Sequence, residues 1–137
     1  MKVIVLLLVS FAFLAGCATH STRKTAELDR CQRIYVEHRL TDNHHIDDLI
    51  VAELRHLGRD ASSGPLTMMP ENTDAILSYA DRWEWDFKNY LIEFTLEIQK
   101  AKTRKKIGDG RYYQPSIKTK SPAEVVHEIL TPLFKAS

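Results

Sequence analysis

The clearest pattern of hydrophobic and polar positions in this chain is an alternation between residues 90 and 99. The apolar members are Tyr90, Ile92, Phe94, Leu96 and Ile98, and the polar members are Glu93, Thr95, Glu97 and Gln99. Successive side chains of a strand point to opposite faces, so the alternation predicts a strand with one apolar and one polar face. Such a strand is typical of an antiparallel sheet covered on one side only.

Three further segments have the β-branched and aromatic content of strands, and they lie at 32–38, 74–82 and 107–114. Gly108 and Gly110 weaken the last of these predictions, because glycine is unfavourable inside a strand. The stretch 59–72 is rich in Gly, Ser and Pro and is predicted to be a loop. We expect Met68 and Met69 in this loop to pack against the edge of the domain.

Two segments have helical periodicity. Asp42 or Asn43 is predicted to cap the first helix, which runs to about Leu57. The second helix begins with Ser121-Pro122-Ala123-Glu124, which has the spacing of a capping box. The apolar faces are formed by Ile46, Leu49, Ile50, Leu54 and Leu57 in the first helix, and by Val125, Val126, Ile129, Leu130, Leu133 and Phe134 in the second.

The predicted order is therefore β-α-β-β-β-α, which places the chain in the α+β class as a single domain. We expect a mostly antiparallel four-stranded sheet with both helices on one face. The first β-α-β connection is predicted to be right-handed.

The N-terminus has the pattern of an export signal. Lys2 supplies a positive charge, and residues 3–14 form an apolar run interrupted only by Ser10. As a helix this run spans about 18 Å at about 1.5 Å per residue, whereas the hydrocarbon core is about 30 Å thick. The segment is therefore predicted to be a cleaved signal peptide.

The four residues that end this segment, Leu14-Ala15-Gly16-Cys17, resemble the lipobox of bacterial lipoproteins. The resemblance implies that residues 1–16 are removed and that Cys17 carries a diacylglyceryl thioether and usually an N-acyl chain such as palmitate. It also implies an outer-membrane location facing the periplasm, because Ala18 stands where an Asp often signals retention in the inner membrane. Two or three acyl chains give stable anchoring.

The segment after the lipobox, residues 18–29, is polar without a sustained apolar period and is predicted to be a flexible tether. The predicted organisation is a signal peptide at 1–16, a lipidated N-terminus and tether at 17–30, and one periplasmic domain at 31–137. The lipobox, the alternating strand, a Lys-Thr turn and the Ser-Pro helix start together resemble small periplasmic lipoproteins of unknown function.

Charge and cysteine content exclude two classes. The formal net charge is +1, and it is close to zero without Lys2, so nucleic acid is not an expected partner. Cys31 has no intrachain partner once Cys17 is lipidated, so a disulfide framework is excluded; its thiol is either buried or paired between molecules. The basic turn, formed by Lys100, Lys102, Arg104, Lys105 and Lys106, is either a solvated hairpin tip or a contact for anionic lipid or an acidic protein.

Two internal clusters are candidates for a site. Trp83, Trp85 and Phe87 share one side of an extended chain, where they either fill the core and its rim or form a recognition patch for a protein or a sugar. The segment His44–Asp48 with His38 contains metal-capable residues, although acidic residues are also favoured in the first turn of a helix. Neither cluster assigns a catalytic residue, a cofactor or a bound metal.

The sequence thus predicts a membrane-anchored lipoprotein that is not an enzyme and acts as a binding or accessory module in the cell envelope. Its expected partners are the membrane, through Cys17, and an envelope protein or cell-wall material. Two alternatives remain open. One is a small metal-dependent or hydrolytic enzyme that uses the His44–Asp48 cluster, and the other is a structural lipoprotein that docks on anionic lipid through the basic turn.

Overall fold

A computed structural model describes residues 18–85, 87–115 and 120–135 of the chain. The strands are β1 (Thr19–Lys24), β2 (Arg33–Glu37), β3 (Asp60–Gly64), β4 (Ala75–Trp85), β5 (Asn89–Lys100) and β6 (Lys106–Tyr113). The helices are α1 (Ala26–Asp29), α2 (Ile46–His56) and α3 (Pro122–Phe134), and a 3-10 turn covers Leu66–Met68. Within the described residues, none of the helices is long and apolar enough to cross a membrane.

The six strands form one mixed sheet in the order β1-β6-β5-β4-β2-β3. Strand β2 pairs in parallel with both β3 and β4, and the other neighbours are antiparallel. The predicted α+β class and single domain are confirmed. The predicted four-stranded sheet with two helices is wrong in number, because β1, α1 and β3 were not expected.

The predicted tether at 18–29 is replaced by folded structure. Strand β1 pairs with β6 from Thr19 opposite Tyr113 to Lys24 opposite Gly108, and α1 buries Leu28 completely. An edge strand needs only backbone hydrogen bonds to its neighbour, so a polar sequence can form one without an apolar alternation. Only Ala18 stands between Cys17 and this strand.

The predicted loop at 59–72 contains the second unexpected strand. Residues 60–64 pair in parallel with β2, from Arg33 opposite Asp60 to Glu37 opposite Gly64. The segment is small and polar, and it lies at the other edge of the sheet. Met68 is exposed, so the expectation that it packs against the domain edge is wrong.

The core lies between one face of the sheet and the helices. Phe94, Leu96 and Ile98 of β5 belong to it, together with the buried side chains of α2 and α3. The opposite face carries the partly exposed polar residues of β5, as the alternation predicts. Glu93 on this open face pairs with Arg82 at 3.1 Å and with Arg111 at 2.9 Å.

The two glycines of β6 are positions where helices approach the sheet closely. A Cβ on Gly110 would lie 2.7 Å from Cγ2 of Ile129 in α3, and one on Gly108 would lie 3.0 Å from Cδ2 of Leu28 in α1. A side chain at either position would therefore push a helix away from the sheet. The strand prediction at 107–114 is confirmed for residues 106–113 in spite of these glycines.

The predicted capping box of the second helix is confirmed. The Ser121 hydroxyl accepts from the backbone N–H of Glu124, and the Glu124 carboxylate accepts from the N–H of Ser121. At α2 the N-cap residue is His45, whose side chain makes no capping hydrogen bond, so the prediction of Asp42 or Asn43 as the cap residue is wrong. Asp42 nevertheless supports the helix start from three residues upstream. Its carboxylate accepts hydrogen bonds from the backbone N–H of Asp47, at 3.2 Å, and of His44, at 2.9 Å.

Candidate functional site

The hairpin formed by β4 and β5 projects beyond the rest of the sheet. Its last pairs are Trp83 with Leu91 and Trp85 with Asn89. Strand β6 pairs with β5 only as far as Glu93, and β2 pairs with β4 only along Ala75–Leu77. The hairpin is therefore two-stranded near its tip, where Trp85 and residues 87–89 are exposed.

A shift in register at the base of this projection changes which residues of β5 face the core. The pairing passes from Arg82 with Glu93 to Trp83 with Leu91, so β5 contains one extra residue there. Leu91 joins the hydrophobic core, and Trp83 packs against that core as a partly buried side chain. Such a bulge re-aims side chains and increases local twist.

Trp83 is held on two sides. Its indole ring stacks on the imidazole of His44, with ring centroids 3.7 Å apart. Its Nε1–H donates a hydrogen bond of 2.6 Å to Oδ2 of Asp81. The other oxygen of Asp81 accepts a 2.5 Å hydrogen bond from Nη1 of Arg39. These contacts fix Trp83 in place at the bottom of the projecting hairpin.

A buried hydrogen bond continues this network toward α2. Tyr79 donates a 2.6 Å hydrogen bond to Asp42, and the Arg39 guanidinium lies 5.7 Å above the Tyr79 ring. Burial, followed by the hydrogen bond to Asp42, raises the pKa of Tyr79 well above its usual value. Burial also works to raise the pKa of Asp42, but hydrogen bonds donated by Tyr79, His44, Asp47 and Ile46 outweigh it and lower that pKa.

This network joins the loop at residues 38–45 to β4. The carboxylates of Asp42 and Asp81 accept hydrogen bonds from fixed donors, and both side chains are buried. Groups satisfied in this way rigidify a structure. The arrangement therefore positions Trp83.

Sequence reasoning identified Trp83 but missed Arg39, Tyr79 and Asp81. One signal was present. Asp81 shares its strand parity with the buried residues Ala75, Leu77 and Tyr79, and a charged residue on the inward register of a strand requires a buried partner.

The side chains of Trp85 and Phe87 are exposed, at 70% and 94% of their full accessible area. Trp83 and Trp85 lie on the same side of β4, as predicted, and Phe87 lies in the turn with φ of 60°. The three rings therefore do not share one environment, since Trp83 lies at the rim of the core and the other two lie in solvent. Exposed aromatic side chains of this size favour a partner that covers them.

The His44–Asp48 cluster is divided by the start of α2. Asp47 points inward and lies 2.9 Å from Nδ1 of His38, whereas Asp48 points outward and lies 3.8 Å from His45. His44 stacks on Trp83. Across the described parts of the chain, no three His, Cys, Asp or Glu side chains are grouped so as to hold a metal ion.

The basic turn lies at the opposite end of the sheet from the hairpin tip, since β5 begins at the tip and ends at the turn. Glu27 of α1 pairs with Lys105 at 2.8 Å and with Lys100 at 3.4 Å. Hydrogen bonds from Lys105 and then Lys100 lower the pKa of Glu27. Lys106 pairs with Asp109 at 2.9 Å, while Lys102 and Arg104 are exposed.

Of the two cysteines, the structure describes Cys31 but not Cys17. Cys31 is buried in the core, where burial raises the pKa of its thiol. This agrees with the predicted alternative of a buried thiol. Cys17, the rest of the lipobox and the signal segment lie outside the described residues, so lipidation stays a prediction.

Comparisons with known proteins show a similar fold but no family and no relative of similar sequence. No family model and no curated protein matches the sequence. The solved structure of the PelC dodecamer from Paraburkholderia phytofirmans is similar, with a TM-score of 0.66, 15% identity, and coverage of 88% of this chain and all of that one. A point variant of PelC from the same organism gives a TM-score of 0.65 at 16% identity with the same coverage. A minor lipoprotein from Acinetobacter baumannii gives 0.37 at 14% identity, over 77% of this chain and 96% of that one. The chain therefore shares the fold of PelC.

Proposed function

We propose that this protein is a periplasmic lipoprotein, anchored in the outer membrane through Cys17, that acts as a non-enzymatic contact module of the cell envelope. The contact surface is the aromatic tip, defined as Trp85 and Phe87 on the hairpin of β4 and β5. The observation that carries the proposal is the exposure of these two large rings on a hairpin whose base is fixed by Trp83.

The aromatic tip has the properties of a binding surface. Tryptophan and other aromatic side chains are enriched among the residues that dominate interface energies. Because the stack on His44 and the hydrogen bond to Asp81 order the base of the hairpin, less conformational entropy is lost when a partner covers the tip.

The enzyme alternative has less support in the geometry. Asp47 and Asp48 point to different sides of α2, and Asp42 and Asp81 are already engaged with fixed donors. Docking through the basic turn is also disfavoured, since Glu27 neutralises part of its charge and the turn lies far from the strand end that leads to Cys17.

Self-association into a ring is a second candidate for how the module works. The similar PelC structure is a dodecamer, and the sheet of this chain has two edge strands, β1 and β3. Mass photometry of the lipidated protein in detergent tests this candidate. A single species at the monomer mass over the accessible concentration range would reject it.

Two measurements test the main proposal. Cells grown with labelled palmitate should label the wild-type protein and not Cys17→Ser, and labelling of that variant would refute lipidation at this residue. In-cell crosslinking should then attach material to the wild type that is lost in the double variant Trp85→Ala with Phe87→Ala. The matched control is Lys102→Ala at the opposite end, which should keep the crosslinks; their persistence in the aromatic variant would exclude the tip as the contact surface.

A further inference from the structure

We propose that the aromatic tip lies in the interfacial layer of the same bilayer that holds the lipid on Cys17, so that the sheet stands on the membrane with its basic turn pointing away. The inference rests on the lipid anchor proposed above and names the bilayer as the material that the tip contacts. Three independent features of the described residues support it.

The first feature is the direction in which the chain enters the fold. Thr19 opens β1 opposite Tyr113, the last residue of β6, and Tyr113 is opposite Glu93 of β5. Along β5, Glu93 lies four residues after Asn89 at the tip. Strand β1 therefore begins toward the tip end of the sheet, and Lys24 and the basic turn lie at the other end.

The second feature is the distribution of exposed apolar side chains. Among the described residues, the large hydrophobic side chains that are strongly exposed are Leu40, Met68, Trp85 and Phe87. Leu40 follows the end of β2, and Met68 follows the end of β3. Both strands run parallel to β4, which ends at Trp85. All four side chains thus lie at or beyond strand ends that point toward the tip end of the sheet.

The third feature is the match of lengths. Asn89 at the tip precedes Glu93 by four residues along β5, which corresponds to about 14 Å at about 3.4 Å per residue. Cys17 precedes Thr19 by two residues, and two extended residues span at most about 7 Å. Even if these two residues run fully extended toward the tip, the tip reaches at least about 7 Å further than Cys17, so it can enter the interfacial layer, where segments bury apolar groups to a depth of about 5–10 Å.

The chemistry of the tip also fits a membrane interface. Tryptophan is enriched where a bilayer meets water, because its ring has an apolar body and a polar N–H. Lys88 is exposed beside Phe87, and a lysine at this level can keep its ammonium group among the head groups while its stem lies along apolar surface.

The test uses the full lipidated protein reconstituted into phosphatidylcholine vesicles whose acyl chains carry bromine close to the head group. Bromine quenches nearby indole fluorescence. The chain has two tryptophans, so wild type and Trp85→Phe together separate Trp85 from Trp83. We expect strong quenching in the wild type and loss of most of it in Trp85→Phe.

Two further variants make the result decisive. Lys102→Trp in the Trp85→Phe background places an indole at the basic end, and it should add fluorescence that bromine does not quench. Phe87→Trp in the same background should restore quenching. If Trp85 is unquenched while palmitate labelling of Cys17 succeeds, the inference is wrong and the anchor stands, and the tip then contacts a protein or cell-wall partner. If labelling of Cys17 fails, the proposed function fails first.

Discussion

The indole ring of Trp83 stacks on the imidazole of His44 with ring planes 19° from parallel. This contact joins the loop before α2 to the base of the projecting hairpin. It also connects His44, a member of the His44–Asp48 cluster, to the aromatic segment at Trp83. The two clusters singled out in the sequence therefore meet at one contact, in which His44 supports Trp83.

Replacing His44 by Ala should loosen Trp83 without unfolding the domain. Stacked aromatic pairs contribute about 0.5–1.5 kcal/mol beyond their buried area, and we expect a loss of this size in the free energy of unfolding measured with urea. The near-ultraviolet circular dichroism of tryptophan should weaken as well. The control is His45→Asn, because His45 is exposed and Asn tolerates its left-handed backbone at φ of 56°. Equal losses in both variants would contradict the supporting role of His44.

Stability should fall in acid partly through Asp42. Its pKa is lowered in the folded state, whereas an unfolded Asp has a pKa of about 3.9. The unfolded chain therefore takes up the proton first, and the contribution of Asp42 is present above about pH 5 and lost as the pH falls through the folded pKa.

Asp42→Asn removes this titration. It should be less stable than the wild type at neutral pH by about 1.5–3 kcal/mol, the range for hydrogen bonds to a charged group, and the difference should shrink as the pH falls. Urea unfolding of both proteins from pH 7 down to pH 3 measures this difference. Asp48→Asn, which changes an exposed carboxylate of α2, is the control. A difference that stays constant with pH would exclude Asp42 as a source of acid sensitivity.

Gly110→Ala should destabilise the domain. The added Cβ would lie 2.7 Å from Cγ2 of Ile129, and overpacking of a core typically costs about 1–3 kcal/mol. Gly108→Ala should cost less, because its closest contact is 3.0 Å, to the end of the Leu28 side chain. Thermal unfolding of the two variants tests this order, and a more stable Gly110→Ala would show that α3 is not held against β6 as described.

Reversing charge in the basic turn should leave membrane association unchanged. Lys102→Glu with Arg104→Glu alters two exposed cations of the turn other than the two that pair with Glu27. Vesicle flotation of Cys17→Ser protein, in which a stable lipid anchor does not mask weaker contacts, should give the same bound fraction with and without this double substitution. Lys88→Glu at the aromatic tip is the comparison, and it should reduce binding to anionic vesicles at low salt. A reduction from the basic-turn variant alone would restore the alternative of docking through that turn.

The elements that could be predicted from the sequence are those whose side chains follow a recognisable pattern. Strand β5 alternates because one face is buried, and α3 begins at a capping box that is visible in four letters of sequence. Strands β1 and β3 lie at the two edges of the sheet and are formed by THSTRK and DASSG. Their pairing uses backbone groups that every residue has, so composition gives no indication of it.

The candidate site was predictable only in part for a related reason. The Trp83–Phe87 segment is conspicuous in sequence, but the division between a buried base and an exposed tip depends on where neighbouring strands stop. The support of Trp83 by Asp81 and Arg39 joins residues 42 positions apart, and no local pattern encodes that distance.

The pairing of β1 with β6 has a consequence for how the sheet is completed. Among the described elements the first strand finds its place only beside the last, so this edge of the sheet cannot close until the chain is complete as far as Tyr113. Strand β1 therefore waits unpaired while the rest of the sheet forms, and a β6 that lacks β1 presents an unpaired edge, which is a site for association with other chains. Recombinant forms that begin after Lys24, as a design for a tethered domain would suggest, remove that strand permanently and should aggregate through β6.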